Sequence, residues 1–510
     1  MPSLSAFGLL AASVVAQPQP AELLGPSRPL RDAPLAFIES SSGLERPRWD
    51  GGRTQLALAD LNLDGHPDLL SVGDHGSPYI NTNMHGVSVW FGDGAGNWLS
   101  YQNGAFGYGG VTVGDVNNDG LPDIGYGIHH AYSGSDFGDQ LLEVALGDGT
   151  GRNWTPWDDG LATHGQSWGM FGSAFADVNL DGFLDLASVS FGSGDGFHVY
   201  LSDGVGSWTR SFGFLGGNST MDLHAGDVNN DGVPDFAAAH QNGTVWIGDG
   251  AGGYALSDTG LPPDSTLGRR GVHLGDVTGD GFDDLSWVNQ HGGLEVWAQA
   301  PATARWVPFS GDLPPTGDWE VTRLVDMNVD GHTDLVAFGE GRAAIFLGDS
   351  NGEWRFETTF TVPYPGEYSA FVVGDADHSG YPDIGIVSEQ GGLFSRRNKL
   401  QFFRETLRPT RLWIEATAPP RHRTIRIGSV WFIDWVAATP AGSQATIDIE
   451  LSLDGPDGPW MTLVVDAPNT GRYQTNIDQL TPSGNAFIRL TARTPQQAYT
   501  DVHGPLTLLP

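Results

Sequence analysis

The sequence predicts an all-β protein: a seven-bladed β-propeller built on metal-binding hairpin loops, followed by a small β-sandwich. Three observations predict it. One acidic nonapeptide recurs seven times, as DLNLDGHPD (60–68), DVNNDGLPD (115–123), DVNLDGFLD (177–185), DVNNDGVPD (227–235), DVTGDGFDD (276–284), DMNVDGHTD (326–334) and DADHSGYPD (375–383). Successive copies begin 49 to 62 residues apart, a period that marks propellers and solenoids. Each copy sits between short alternating apolar runs and Gly-rich turns with no amphipathic helix, the pattern of a four-stranded blade.

Each unit has the same internal order. A first run enters the acidic loop (QLALAD, VTVGD, LHAGD, FVVGD) and a second leaves it (DLLSVG, DIGYGI, DFAAAH, DIGIVS). A third follows, as in TVWIGDGAGGY, and a fourth closes the unit, as in WTRSFGF. Most units end in a phrase such as WDDGL (157–161) or LSDTGL (256–261). The seventh runs out at LQFFRETL without one, while LAFIESSSGL (35–44) stands ahead of the first acidic loop. The strand around Ala36–Glu39 is therefore expected to complete the seventh blade near Leu400–Arg404, removing two open sheet edges. Trp90, Trp246, Trp297, Trp98, Trp208 and Trp354 read as packing between blades.

Bulk properties narrow the function classes. The chain has 510 residues, 73 glycines and 32 prolines, yet 39% of it is hydrophobic and it holds 17 tryptophans, so it has substantial cores. A net charge of −36 argues against nucleic acid and anionic membrane surfaces as partners. Cysteine is absent, which removes disulfides and thiolate metal sites. An apolar stretch from Leu4 to Ala16, with small residues Val14 and Ala16 before Gln17, predicts a signal peptide over 1–16 and a linker over 17–34. The stretch is too short to span a bilayer. The expected location is extracellular, periplasmic or cell-surface, without membrane insertion.

The nonapeptide is legible as chemistry. Oxygen-bearing side chains fall at its first position (Asp60, Asp115, Asp177, Asp227, Asp276, Asp326, Asp375) and its third (Asn62, Asn117, Asn179, Asn229, Thr278, Asn328, Asp377). More fall at the fifth (Asp64, Asp119, Asp181, Asp231, Asp280, Asp330, Ser379) and the ninth (Asp68, Asp123, Asp185, Asp235, Asp284, Asp334, Asp383). Glycine at the sixth permits the backbone reversal. Position seven (His66, Leu121, Phe183, Val233, Phe282, His332, Tyr381) can offer its carbonyl. Such an all-oxygen cage suits Ca²⁺, which takes six to eight oxygens at about 2.3–2.6 Å. No glutamate follows at position twelve, so the loop is not an EF-hand. Up to seven structural Ca²⁺ are expected, with Thr278 and Ser379 weakening the fifth and seventh cages.

These loops resemble the FG-GAP/VCBS repeat family, which includes the propeller of integrin α subunits, fungal seven-bladed lectins and many secreted bacterial proteins. The resemblance covers about residues 35–408. It implies calcium loops between the first two strands of each blade and a ligand surface on the opposite face. It does not name a ligand, because members bind proteins, bind sugars or support polysaccharide cleavage. Residues 409–510 carry no acidic nonapeptide; alternating runs such as TIRIGSVWFIDWVA and ATIDIELSL resemble fibronectin-III-like or Kre9-like accessory sandwiches.

On the opposite face the chain is irregular. The second-to-third connections of units one and two are long, GDHGSPYINTNMHG (73–86) and GIHHAYSGSDFGDQ (127–140), and THGQSWGMFGS (163–173) precedes unit three. Asp74, His75, Tyr79, His85, His129, His130, Tyr132, His164, Trp168, His240 and His291 are the candidate ligand residues. Aromatic faces for stacking beside hydroxyl-binding polar groups suit a sugar. For any one of them the plainer reading is loop packing. No nucleophile motif is present, so the expected function is a lectin-like or adhesive binding module for a glycan or a cell-surface protein. A polysaccharide lyase working through His129, His130 and Tyr132, or a purely structural surface protein, are the alternatives.

Overall fold

The computed structural model describes residues 22–24, 34–44, 55–73, 86–104, 106–107, 109–128, 137, 140–161, 170–190, 196–214, 219–263, 270–339, 341–362, 370–390, 397–440 and 443–510. Among them every regular element is a strand. Seven antiparallel four-stranded sheets form, each made of consecutive strands except the last. Blade one is Ala57–Ala59, Asp68–Gly73, Gly86–Gly92 and Trp98–Asn103. Blades two to six repeat this order, and in all seven the second strand starts on the ninth-position aspartate of the acidic loop. The first strand of each blade touches that of the next around a closed ring. The molecule is a seven-bladed β-propeller.

Blade seven contains Ala370–Gly374, Asp383–Gln390 and Arg397–Glu405, and its fourth strand is Phe37–Glu39. The register pairs Phe37 with Glu405 and Glu39 with Phe403, the closure expected from the sequence. Joining the two ends of the ring through strand hydrogen bonds covers the outer edge that Arg397–Glu405 would otherwise leave open.

The phrase ending in Gly-Leu that closes most units has a function that sequence reasoning missed. Ser41–Leu44, Asp158–Leu161 and Asp258–Leu261 are tight turns in which the leucine N–H donates to the residue three back, at 3.0 Å in each case. Each turn grips a tryptophan at the start of the outer strand of the next blade, in its first or second position. Trp98 Nε1 donates to Ser40 O at 2.9 Å, Trp208 Nε1 to Trp157 O at 2.8 Å and Trp306 Nε1 to Ser257 O at 2.7 Å. The Gly160 backbone sits in the left-handed region (φ 89°), and a Cβ there would lie 2.3 Å from Trp208 O. Glycine is required by conformation and by space at once.

A second staple joins the inner strands. Residues three before the acidic loop accept a backbone N–H from the next blade: Thr112 from Phe175, His224 from Leu274, His273 from Leu324. Arg323 instead donates to Phe371 O of blade seven at 3.0 Å.

Residues 413–509 form two further sheets. One pairs Trp413–Ala418, Val430–Ala438 and Arg472–Asn476; the other is six-stranded around Ser483–Arg493 and Gln497–Leu509. Both contribute to one core containing Trp413, Trp435, Ile447, Ile488 and Leu506. Glu22–Leu24, which the sequence reading assigned to a linker, runs parallel to Gln497–Tyr499 as an added strand.

Gly160→Ala should destabilise the propeller by on the order of 2 kcal/mol, because it forces a left-handed non-glycine residue against a carbonyl. Trp208→Phe, which keeps most of the bulk and loses the Nε1 donor, should cost about 1 kcal/mol. Urea midpoints of the two variants against the parent check both values.

Candidate metal face and the opposite surface

The acidic loops share one hydrogen-bond scheme in all seven copies. The first-position aspartate accepts the fifth-position N–H on Oδ1 and the sixth-position glycine N–H on Oδ2, at 2.6–3.2 Å. In five loops the third-position asparagine faces the fifth-position carboxylate, as Asn62 Nδ2 does Asp64 Oδ2 at 2.9 Å. Positions one, three and five are thereby tied to one another within each of these loops, the asparagine Oδ1 also accepting the fifth-position N–H.

The ninth-position aspartate, read from the sequence as a further ligand, has a structural duty as well. Its Oδ2 accepts the N–H of the residue after the first aspartate: Leu61, Val116, Val178, Val228, Val277, Met327 or Ala376. Its Oδ1 accepts an N–H at the end of the third strand: Gly92, Gly147, Ser202, Gly248, Gln299 or Gly348, and Glu405 in blade seven. These bonds are 2.8–3.0 Å long, and the carboxylates are wholly buried. Burial pushes Asp68, Asp185 and Asp235 up to about 8 and Asp123 to about 7, and the carboxylates at positions one and five add to the rise.

Two residues per loop are left-handed. The sixth is always glycine, but the fourth is Leu63, Asn118, Leu180, Asn230, Gly279, Val329 or His378, at φ 52–76°. A β-branched residue in that region is rare. Val329 is held there because its side chain is buried in the core of the C-terminal domain. No sequence signal marks position four, since five different residue types occupy the seven copies.

The residues fit a hard divalent cation. The donor set is all oxygen, three acids per loop repel one another, and a cation among them would offset what burial costs. The seventh loop is drawn tightest: ligand oxygens of Asp375, Asp377 and Asp383 lie within 4.8 Å of one another. It also has resident cations, with Arg404 and Arg408 Nη1 at 3.3 and 3.2 Å from Asp377 Oδ2. In the fifth loop Thr278 Oγ1 turns back to Asp276 Oδ1 at 3.4 Å, so its third-position oxygen is partly committed.

The C-terminal domain sits on this loop face. Gln474 brackets Asp115, donating to its carbonyl at 2.7 Å and accepting its N–H at 3.0 Å. Val430 N–H donates to Asp177 Oδ2 at 2.9 Å, and Asn476 Nδ2 to Gly182 O at 2.9 Å. Asn230 accepts Thr424 N–H at 2.6 Å. Buried Arg423 bridges loops four and five, donating to Asp227 O at 2.9 Å and pairing with Asp283. Asp283 occupies position eight, where the other loops carry Pro, Leu or Thr, and the sequence reading passed it over. Thr439 N–H donates to His378 O at 2.9 Å, and Trp413 meets the Tyr381 ring edge-on at 5.8 Å. Loop one meets loop seven instead, through His378 Nε2 and Gly65 O at 2.9 Å.

The second-to-third strand connections leave from the other end of each blade. Asp74, His75, Tyr79, His85, His129, His130, Tyr132, His164 and Trp168 lie outside the described residues. The two remaining candidates behave differently. His291 is exposed on a turn, its N–H donating to Asn289 Oδ1 at 2.9 Å. His240 is buried rather than presented: its ring lies 5.0 Å from Phe214, its Nδ1 accepts Asn242 N–H at 3.0 Å, and burial holds its pKa down to about 4.

Against this geometry, the family model for the FG-GAP-like repeat matches residues 60–126, 177–238 and 326–386. Those spans contain every acidic loop except the fifth, the copy with threonine at position three. No curated protein matches the chain. Among solved structures the chain is similar to an Agrocybe aegerita lectin described for specific recognition of non-reducing terminal N-acetylglucosamine, at 16% identity and a TM-score of 0.41, covering 62% of this chain and 81% of that one. It is also similar to the Trypanosoma rangeli sialidase, at 11% identity and a TM-score of 0.35 over 91% and 89% of the two chains. The Malassezia sympodialis allergen Mala s 1 follows at 12% identity and 0.28, over 72% and 95%.

Two outcomes are expected. Removing divalent cations with excess chelator should lower the melting temperature, and added Ca²⁺ should restore it; an unchanged thermal scan would refute the cation reading of the loops. Burial also holds the His198 pKa down to about 4, with Arg210 adding to the effect. A depressed histidine contributes stability above its unfolded value near 6.5 that is lost as pH falls toward 4. Denaturant midpoints at pH 7 and pH 5 should therefore converge in His198→Leu relative to the parent.

Proposed function

We propose that this protein is an exported, calcium-stabilised propeller that acts as a binding module, with its ligand surface on the face opposite the acidic loops and a glycan as its ligand. The observation that carries the reading is the occupation of the loop face by the C-terminal domain, through Gln474, Val430, Asn476, Arg423 and Thr439. The opposite end of the propeller is then the free end. Its longest connections, 73–86 and 127–140, are the ones richest in His, Tyr and Asp. Connections on a rigid scaffold are where binding residues concentrate. Tyr132 and Trp168 would stack on sugar rings at about 1–2 kcal/mol each, while Asp74, His75, Tyr79, His129 and His130 would meet hydroxyls. The seven loops would each hold a Ca²⁺ as a structural ion. The C-terminal domain would serve as an accessory module.

Glycan-array binding followed by calorimetry tests this reading. Tyr132→Ala combined with Trp168→Ala should abolish binding and leave the calcium-dependent melting temperature in place. Binding that survives the double change would move the site elsewhere, and release of unsaturated sugar products would turn the module into a lyase.

A further inference from the structure

We infer that the cation sites are shared between the two domains, so that binding of Ca²⁺ by loops two, three and seven and docking of the C-terminal domain are one linked equilibrium. This rests on the cation reading of the loops proposed above.

The first-position carboxylate is the group that decides it. In loop one Asp60 is held by N–H groups of its own loop, from Asp64 and Gly65. In loop three the equivalent Asp177 receives the same two bonds and a third from Val430 N–H of the C-terminal domain, and it is 1% exposed. In loop seven Thr439 N–H of the C-terminal domain holds His378 O, beside the third-position Asp377, at 2.9 Å. In loop two Gln474 fixes both backbone groups of Asp115. The second domain thus holds the ligand carboxylate itself in loop three and the adjoining backbone in loops two and seven.

Three like charges in one loop tend to splay apart, and a cation draws them together. The docked domain requires the same drawn-together geometry, because its donors and acceptors meet those loops at fixed places. Each event therefore pre-arranges the site for the other, and the coupling must be reciprocal. Apolar contacts make the interface firm enough to transmit it. Val329 of loop six and Tyr381 of loop seven are buried in the C-terminal core, and Val430 is buried against Val116 and Leu184 of the propeller.

The experiment uses the full chain. Calcium titration by calorimetry compares the parent with Gln474→Ala combined with Asn476→Ala, neither residue being a cation ligand. Hydrogen exchange is followed with and without chelator. Linkage predicts that a subset of sites in the variant weakens by about tenfold while the rest keep their affinity. It also predicts that chelation speeds exchange in 428–438 and 470–477 of the parent, with 486–493 unchanged. Unaltered calcium affinities in a folded variant, or interface segments indifferent to chelation while 60–68 responds, would overturn it. If the variant misfolds, the exchange arm on the parent alone decides. Absence of any calcium binding by the parent would sink the cation reading itself, a result distinguishable from calcium binding without linkage.

Discussion

Seven buried aspartates, one at the start of each second strand, hold this protein together. Each takes an N–H from the acidic loop and another from the third strand, so a single carboxylate ties the hairpin, the loop and the sheet of its blade. A neutral acceptor could make one such bond well; a carboxylate with two oxygens makes both, and charge-assisted bonds are the stronger kind. The consequence is electrostatic. Setting an ionisable group there in every blade places seven buried acids on one face, beside the carboxylates of positions one and five. Much of what else is unusual in the chain answers that concentration of charge: the cation-fitting cages, Arg404 and Arg408 on loop seven, and Arg423 reaching in from the second domain.

Blades built this way still have to be joined. The outer rim does so with tryptophan, whose indole N–H reaches the preceding blade while its ring fills the gap between sheets. The inner rim does so with side-chain acceptors on successive first strands, Thr112, His224 and His273. The N-terminal strand then serves twice. Phe37–Glu39 completes blade seven, and the turn after it receives Trp98 of blade one.

The two faces divide the labour. One is filled by acidic loops and covered in part by the C-terminal domain, whose contacts run around the ring from loop two to loop seven. The other carries the long connections, and it is there that a glycan-binding reading puts its aromatic residues. Of the candidate ligand residues, His240 shows how an exposed-looking turn histidine can belong to the core: its ring is buried edge-on against Phe214 of the preceding blade.

The sequence by itself determined the blade count, the strand order, the ring closure and the acidic cages. All of these are written in short periodic patterns whose physical meaning is local: alternation for strands, aspartate and glycine spacing for the loop, a missing fourth run for the closure. What only the tertiary structure decided is whatever depends on residues distant in the chain. The C-terminal domain could have hung free as an appendage; instead Val430, Gln474 and Asn476 meet loops that lie some three hundred residues earlier or more, or about 250 in the case of Val430. The strand at Glu22–Leu24, the second duty of the ninth aspartate and the left-handed Val329 were invisible for the same reason. A residue's spacing along the chain records the neighbours it has within one blade, whereas its partners across blades and domains are set by packing, which leaves no period to read.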